Sequence, residues 1–233
     1  MSDFVSVLEA RTDSVPFPAF THERVYMRPF TPADGLPADL ARWQPTVDAM
    51  LDGIDVDGVA YLMIDQGIVQ AGNLHRRGGL HVDGHWIDAS HGNPTPSYPR
   101  HSTPAPRRHH HDAPRPIRRH VPPMPDWHRN PAPRHDAPAP GSHSHHDGPL
   151  EALLLATDVY ACDAYVGAFD GPIGKGGDCS HVDVTALDRV ELRDGTCWAG
   201  NVALLHESVP VPTTTPRTLV RLNVPGWSPA GVR

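Results

Sequence analysis

The chain has 233 residues, a formal net charge of −7 and 39% hydrophobic residues, with 27 prolines and 17 histidines. That length holds one domain, or one domain and an appendage, and the acidic balance gives no general electrostatic reason for nucleic acid or an anionic membrane as partner. Three cysteines without a CxxC spacing (Cys162, Cys179 and Cys197) argue against a disulfide framework or a thiolate zinc site and fit a reducing cytosol.

The N-terminal stretch carries early acids and no apolar core, so no secretion signal is expected. No apolar run approaches the roughly eighteen residues of a membrane span, and a cytoplasmic location is the expectation. Residues 1–57 read as a mixed, partly helical support region. Residues 23–28 form a short β-like piece. A helix opens near Pro37, and its Leu40, Trp43, Val47, Met50 and Leu51 recur at three and four residues, so one face is buried. Pro45 falls inside this pattern and is expected to break or kink it, with Gly53 as a stop.

From Val59 the pattern changes to strands. Residues 59–65 are a short apolar run rich in β-formers, ending at a Gln66-Gly67 turn, and residues 80–83 are the next strand end. Residues 58–90 thus form the first part of a β core. Residues 91–149 are a different material, with 15 of the 27 prolines, 11 of the 17 histidines, eight arginines, and neither lysine nor glutamate. Repeated proline removes backbone donors, and the few large apolar residues have no period, so a long disordered insert is expected.

Residues 150–233 resume the β pattern as the second part of the core. Strand-sized runs lie at 151–156, 162–167, 190–193, 196–199, 202–206 and 218–224, punctuated by Asp170-Gly171, Gly176-Gly177 and Asp194-Gly195. The glycine-rich stretch 167–177 lacks the Gly-Lys-Ser/Thr ending of a phosphate-binding loop and reads as a hairpin loop. Many short strands at regular spacing predict a mainly β sandwich or barrel.

One constellation carries chemistry. His81 and Asp83 stand two apart on a strand, so both side chains point to one face. His206 closes an apolar strand-like run further on. Arg217 and Arg221, four apart, share a face of the last strand, and a guanidinium fork pairs well with a carboxylate. His-x-Asp, a distant His and an Arg eleven residues later is the order of a two-His-one-carboxylate iron site with an anchor for an acidic cosubstrate. A second His-x-Asp pair, His181 and Asp183, lies only 25 residues before His206, too close for the intervening strands of a barrel. His81 lies 125 before it, or about 66 without the insert. His85 extends the first motif and is a rival ligand.

These residues, within the segments 58–90 and 150–225, resemble the Fe(II)- and 2-oxoglutarate-dependent oxygenases. The resemblance implies a double-stranded β-helix, a jelly-roll or cupin-like barrel. It implies His81, Asp83 and His206 as iron ligands and Arg217 as the anchor for 2-oxoglutarate, with Arg221 holding an anionic group or sealing the pocket. It also implies oxidative decarboxylation of 2-oxoglutarate to succinate with O2, coupled to oxidation, by class hydroxylation, of a primary substrate that the motif does not name. The insert is not part of that family's common core. Two other readings stand beside this one. The first is a cupin-type metal enzyme that does not use 2-oxoglutarate. The second is a non-catalytic barrel whose histidine-rich arm, with His109-His110-His111 and Arg107-Arg108, binds metal ions or polyanions such as nucleic acid.

Overall fold

The computed structural model describes residues 4–83 and 151–229. His85 and the 91–149 segment, and the expectations attached to them, lie outside the described residues. The architecture is mainly β. Its strands are β1 (Phe4–Ser6), β2 (Leu8–Thr12), β3 (Arg24–Phe30), β4 (Ala60–Val69), β5 (Glu151–Thr157), β6 (Cys162–Phe169), β7 (Asp188–Glu191), β8 (Cys197–Asn201), β9 (Leu205–Ser208) and β10 (Thr215–Pro225). One helix, α1 (Gln44–Leu51), follows a 3-10 turn over Ala38–Trp43.

The strands form two antiparallel sheets, neither closed on itself. The larger runs β2-β8-β5-β10-β4-β3. Its central strands are apolar on both faces, as the unbroken runs Leu153-Leu154-Leu155 and Leu62-Met63-Ile64 foretell. On one face Leu62, Ile64, Leu154, Val220 and Leu222 pack against Trp43, Val47 and Met50 of the helical segment. Truncating one of these buried leucines to alanine costs about 2–5 kcal/mol. The other face turns toward the smaller sheet, and Leu153, Leu155, Ala164, Leu192 and Leu204 fill the space between. In the smaller sheet β6 lies between β7 on one side and β1 and β9 on the other. The N-terminal region is therefore more than a helical support: β1, β2 and β3 each extend a sheet.

Two sequence expectations change. Pro45 neither breaks nor kinks a helix; it occupies the first turn of α1, where the missing N–H would have had no helical partner. The 3-10 turn ends and the α-helix begins there. Gln66-Gly67 is not a turn either: β4 runs through to Val69, paired with β10 along its whole length from Tyr61. Glycine at 67 leaves room for a neighbouring imidazole, since a Cβ there would lie 3.1 Å from His75 Nε2. Of the expected loop 167–177, residues 167–169 still belong to β6 and pair with β1; the chain leaves the strand after Phe169 in a long loop that returns to the first motif before β7 begins.

Candidate metal centre

His81 and His206 form one directly opposed antiparallel pair. His81 N–H donates to His206 O at 3.0 Å and His206 N–H donates to His81 O at 2.9 Å. Opposed residues of such a pair project to the same face, and the two imidazole centroids lie 4.3 Å apart. Asp83, two residues on, returns to that face. The three residues offer one ligand atom each within 4.8 Å of one another, and among the described residues this is the cluster positioned to hold a metal ion. The rival pair is not so placed: His181 and Asp183 are exposed, and Asp183 accepts hydrogen bonds from Thr185 N–H and Oγ1.

Two backbone carbonyls, which no sequence pattern marks, orient the imidazoles. His81 Nδ1 lies 2.7 Å from Gly79 O and His206 Nδ1 lies 3.0 Å from Leu204 O. A carbonyl accepts only, so both rings carry the proton on Nδ1 and present Nε2 as a lone-pair donor, the tautomer a metal ligand needs. Burial, aided by the neighbouring His206, lowers His81 to about 4, which keeps it neutral at physiological pH. Burial alone would raise the Asp83 carboxyl; the adjoining His206 and the charge of Arg221 override it and hold Asp83 far below the usual carboxylate range. Two imidazoles and a carboxylate suit Fe, Zn, Ni or Mn and leave coordination positions open.

The segment carrying His81 is clamped from its other side. Val82 N–H donates to Gly177 O and Cys179 N–H donates to Leu80 O, both at 2.9 Å. Gly177 has φ of +82°, and a Cβ there would sit 2.0 Å from Val82 O. Only glycine permits this approach.

The cluster opens on a cavity of about 370 Å³ between the sheets, at the small end of ligand pockets. Leu155, Leu192, Trp198 and Leu219 give it apolar walls. Arg217 lies in the same cavity, 1% exposed. Its Nε donates to Val159 O at 3.0 Å and its Nη1 to His75 Nδ1 at 2.8 Å. Among the described residues it forms no ion pair, and burial lowers its pKa below the usual arginine value. Arg221 is differently employed. Its Nη1 donates to Asp83 Oδ2 at 2.6 Å, and Nη2 lies 3.5 Å from Met27 Sδ. Met27 has φ of +46° within the bulge of β3 that brings Tyr26 and Met27 to the cavity mouth. Thus the four cavity residues His81, Asp83, His206 and Arg217 converge as the spacing implies, while Arg221 is engaged by the carboxylate of the triad. Sequence reasoning missed His75, Asp65 and Val159, all of which bear on Arg217. Gly67, read as a turn residue, was the one available signal. No family model, no curated protein and no solved structure matches this chain.

Proposed function

We propose that the protein is an Fe(II)- and 2-oxoglutarate-dependent oxygenase, by class a hydroxylase, on a double-stranded β-helix. The observation that carries this reading is the joint placement of His81, Asp83 and His206 with a buried Arg217 that forms no ion pair among the described residues, in one cavity. Strand order supports it. From β4 onward the chain passes between the two sheets in the order β4, residues 81–83, β5, β6, β7, β8, β9, β10, and only β6 and β7 follow each other in one sheet. A jelly roll winds in this order.

The residues fit the groups this function requires. His81 and His206 would hold iron through Nε2 and Asp83 through its carboxylate, and Arg217 would hold the distal carboxylate of 2-oxoglutarate. Bound together with O2, those groups supply the oxidising chemistry. The chain's own part is positional and electrostatic. Gly79 O and Leu204 O fix the imidazoles, Arg221 fixes Asp83, and Leu155, Leu192, Leu219 and Trp198 exclude bulk water from the cavity.

The test is anaerobic titration of the Fe(II)-loaded full chain with 2-oxoglutarate, followed by the weak visible charge-transfer band of the chelate. Wild type develops the band, and Arg217→Ala requires far more 2-oxoglutarate to do so. Folded, metal-loaded wild type that develops no band and shows no calorimetric 2-oxoglutarate binding would refute the reading and leave a metal enzyme of cupin type. A succinate-release screen over amino acids, peptides, nucleobases and small metabolites then assigns the primary substrate.

A further inference from the structure

Among the described residues Arg217 donates hydrogen bonds to neutral groups alone. Arginine stays protonated in proteins, so its 2.8 Å contact with His75 fixes the direction of the bond: Nη1–H donates and Nδ1 accepts. His75 is then the neutral tautomer with its proton on Nε2. That Nε2–H faces Asp65 Oδ1 at 3.6 Å, and the His75 side chain is 4% exposed. Both atoms are shut off from solvent, and neither makes a hydrogen bond, so the pairing is electrostatic. Asp65 is anchored in turn by Arg76 at 2.8 Å and Arg24 at 3.2 Å.

The backbone is shaped for this imidazole. Gly67 stands opposite Arg217 in the β4–β10 register, and it is over the missing Cβ of Gly67 that the His75 ring lies. The arrangement leaves Nη2 of Arg217 without an acceptor among the described residues, on a side chain that lines the cavity. An aspartate in place of His75 would fix the guanidinium equally well but cancel its charge. A neutral imidazole fixes it and leaves the charge available to an incoming anion.

We propose that His75, backed by Asp65, is a positioning residue that sets the Arg217 guanidinium to receive the distal carboxylate of an acidic cosubstrate. The inference rests on the 2-oxoglutarate reading, and its test separates the two.

Binding is measured by anaerobic calorimetry on the Fe(II)-loaded full chain with two probes. These are 2-oxoglutarate and 2-oxobutyrate, which keeps the chelating end but lacks the distal carboxylate. His75→Ala is expected to weaken 2-oxoglutarate by at least about fivefold, the worth of one ordinary hydrogen bond. It leaves 2-oxobutyrate unchanged and the metal-induced rise in melting temperature intact. His75→Asn, which restores an acceptor near the Nδ1 position, recovers most of the loss. Gly67→Ala, which crowds the ring without touching its chemistry, reproduces part of it and keeps the test alive if His75→Ala fails to fold. Equal affinity for 2-oxoglutarate in wild type and His75→Ala overturns the proposal, as does an equal loss for both probes. Wild type that binds metal but neither probe overturns the 2-oxoglutarate reading, and this inference with it.

Discussion

Replacing His206 by alanine tests whether the cluster is a metal site. A ligand that binds the folded state at a hundred times its Kd stabilises it by about 2.7 kcal/mol. For a folded part of this size that raises the melting temperature by about 5–11 °C. His206 supplies one of three protein ligand atoms. If its loss weakens binding about a hundredfold, the same metal concentration only equals the new Kd and contributes about 0.4 kcal/mol, or about 1–2 °C. The substitution also removes a buried ring that donates to Leu204 O and lies 3.4 Å from Asp83 Oδ2. The apo protein is therefore weakened too, and each protein must be compared with and without metal. Differential scanning fluorimetry under argon, with Fe(II), Mn(II) and Co(II), reads this difference. Total metal uptake does not, because the eleven histidines of 91–149 would be counted as well. A His206→Ala protein with the full wild-type metal shift, or a wild type with none, would refute the argument.

Gly177→Ala drives a Cβ into Val82 O, breaking the clamp on residues 81–83; we expect a stability loss of more than about 2 kcal/mol and no metal shift, and a native melting curve would contradict it. Burial alone would raise Asp65, but the neighbouring His75 and the hydrogen bond from Arg76 bring it from 3.8 down to about 2, so its stabilisation is complete above about pH 4 and is lost as pH falls toward 2. Urea titrations from pH 7 to 2.5 should show Asp65→Asn up to about 2 kcal/mol weaker at neutral pH and flatter across that acid window; parallel curves would count against the pairing. Arg221→Met removes the cation that holds Asp83 ionised and in place, so Mn(II) should bind at least about fivefold more weakly to a less stable apo protein. Tighter binding would mean that Arg221 competes with the metal for the carboxylate.

The convergence of His81, Asp83 and His206 is legible because it depends on a rule the sequence carries, the two-residue alternation of a strand. Side chains at 81 and 83 must share a face once the segment is extended. The burial of β4, β5 and β10 is legible for a similar reason, since runs such as Leu153-Leu154-Leu155 admit no solvent-facing side. Pro45 was misread because the same residue disrupts a helix interior and suits a first turn, and only the turn before it decides between the two. Gly67 was misread because the reason for it is 8 positions away in the chain, in the ring of His75. The hydrogen bonds on Arg217 join residues 58 and 142 positions apart, a separation at which no periodicity operates.

Arg217 and Arg221 show what decides the use of two equivalent residues. They are four apart on one strand and face one cavity, and the strand alternation that puts them there does not distinguish them. Their partners do. Arg221 meets a carboxylate at 2.6 Å, so its charge is compensated locally and its effect is to hold Asp83 ionised and in place. Arg217 meets a carbonyl and an imidazole, which satisfy donors without supplying negative charge. Burying a guanidinium that forms no ion pair is costly, and that cost, met beside an apolar cavity, supports the proposal that an anionic ligand supplies the missing carboxylate.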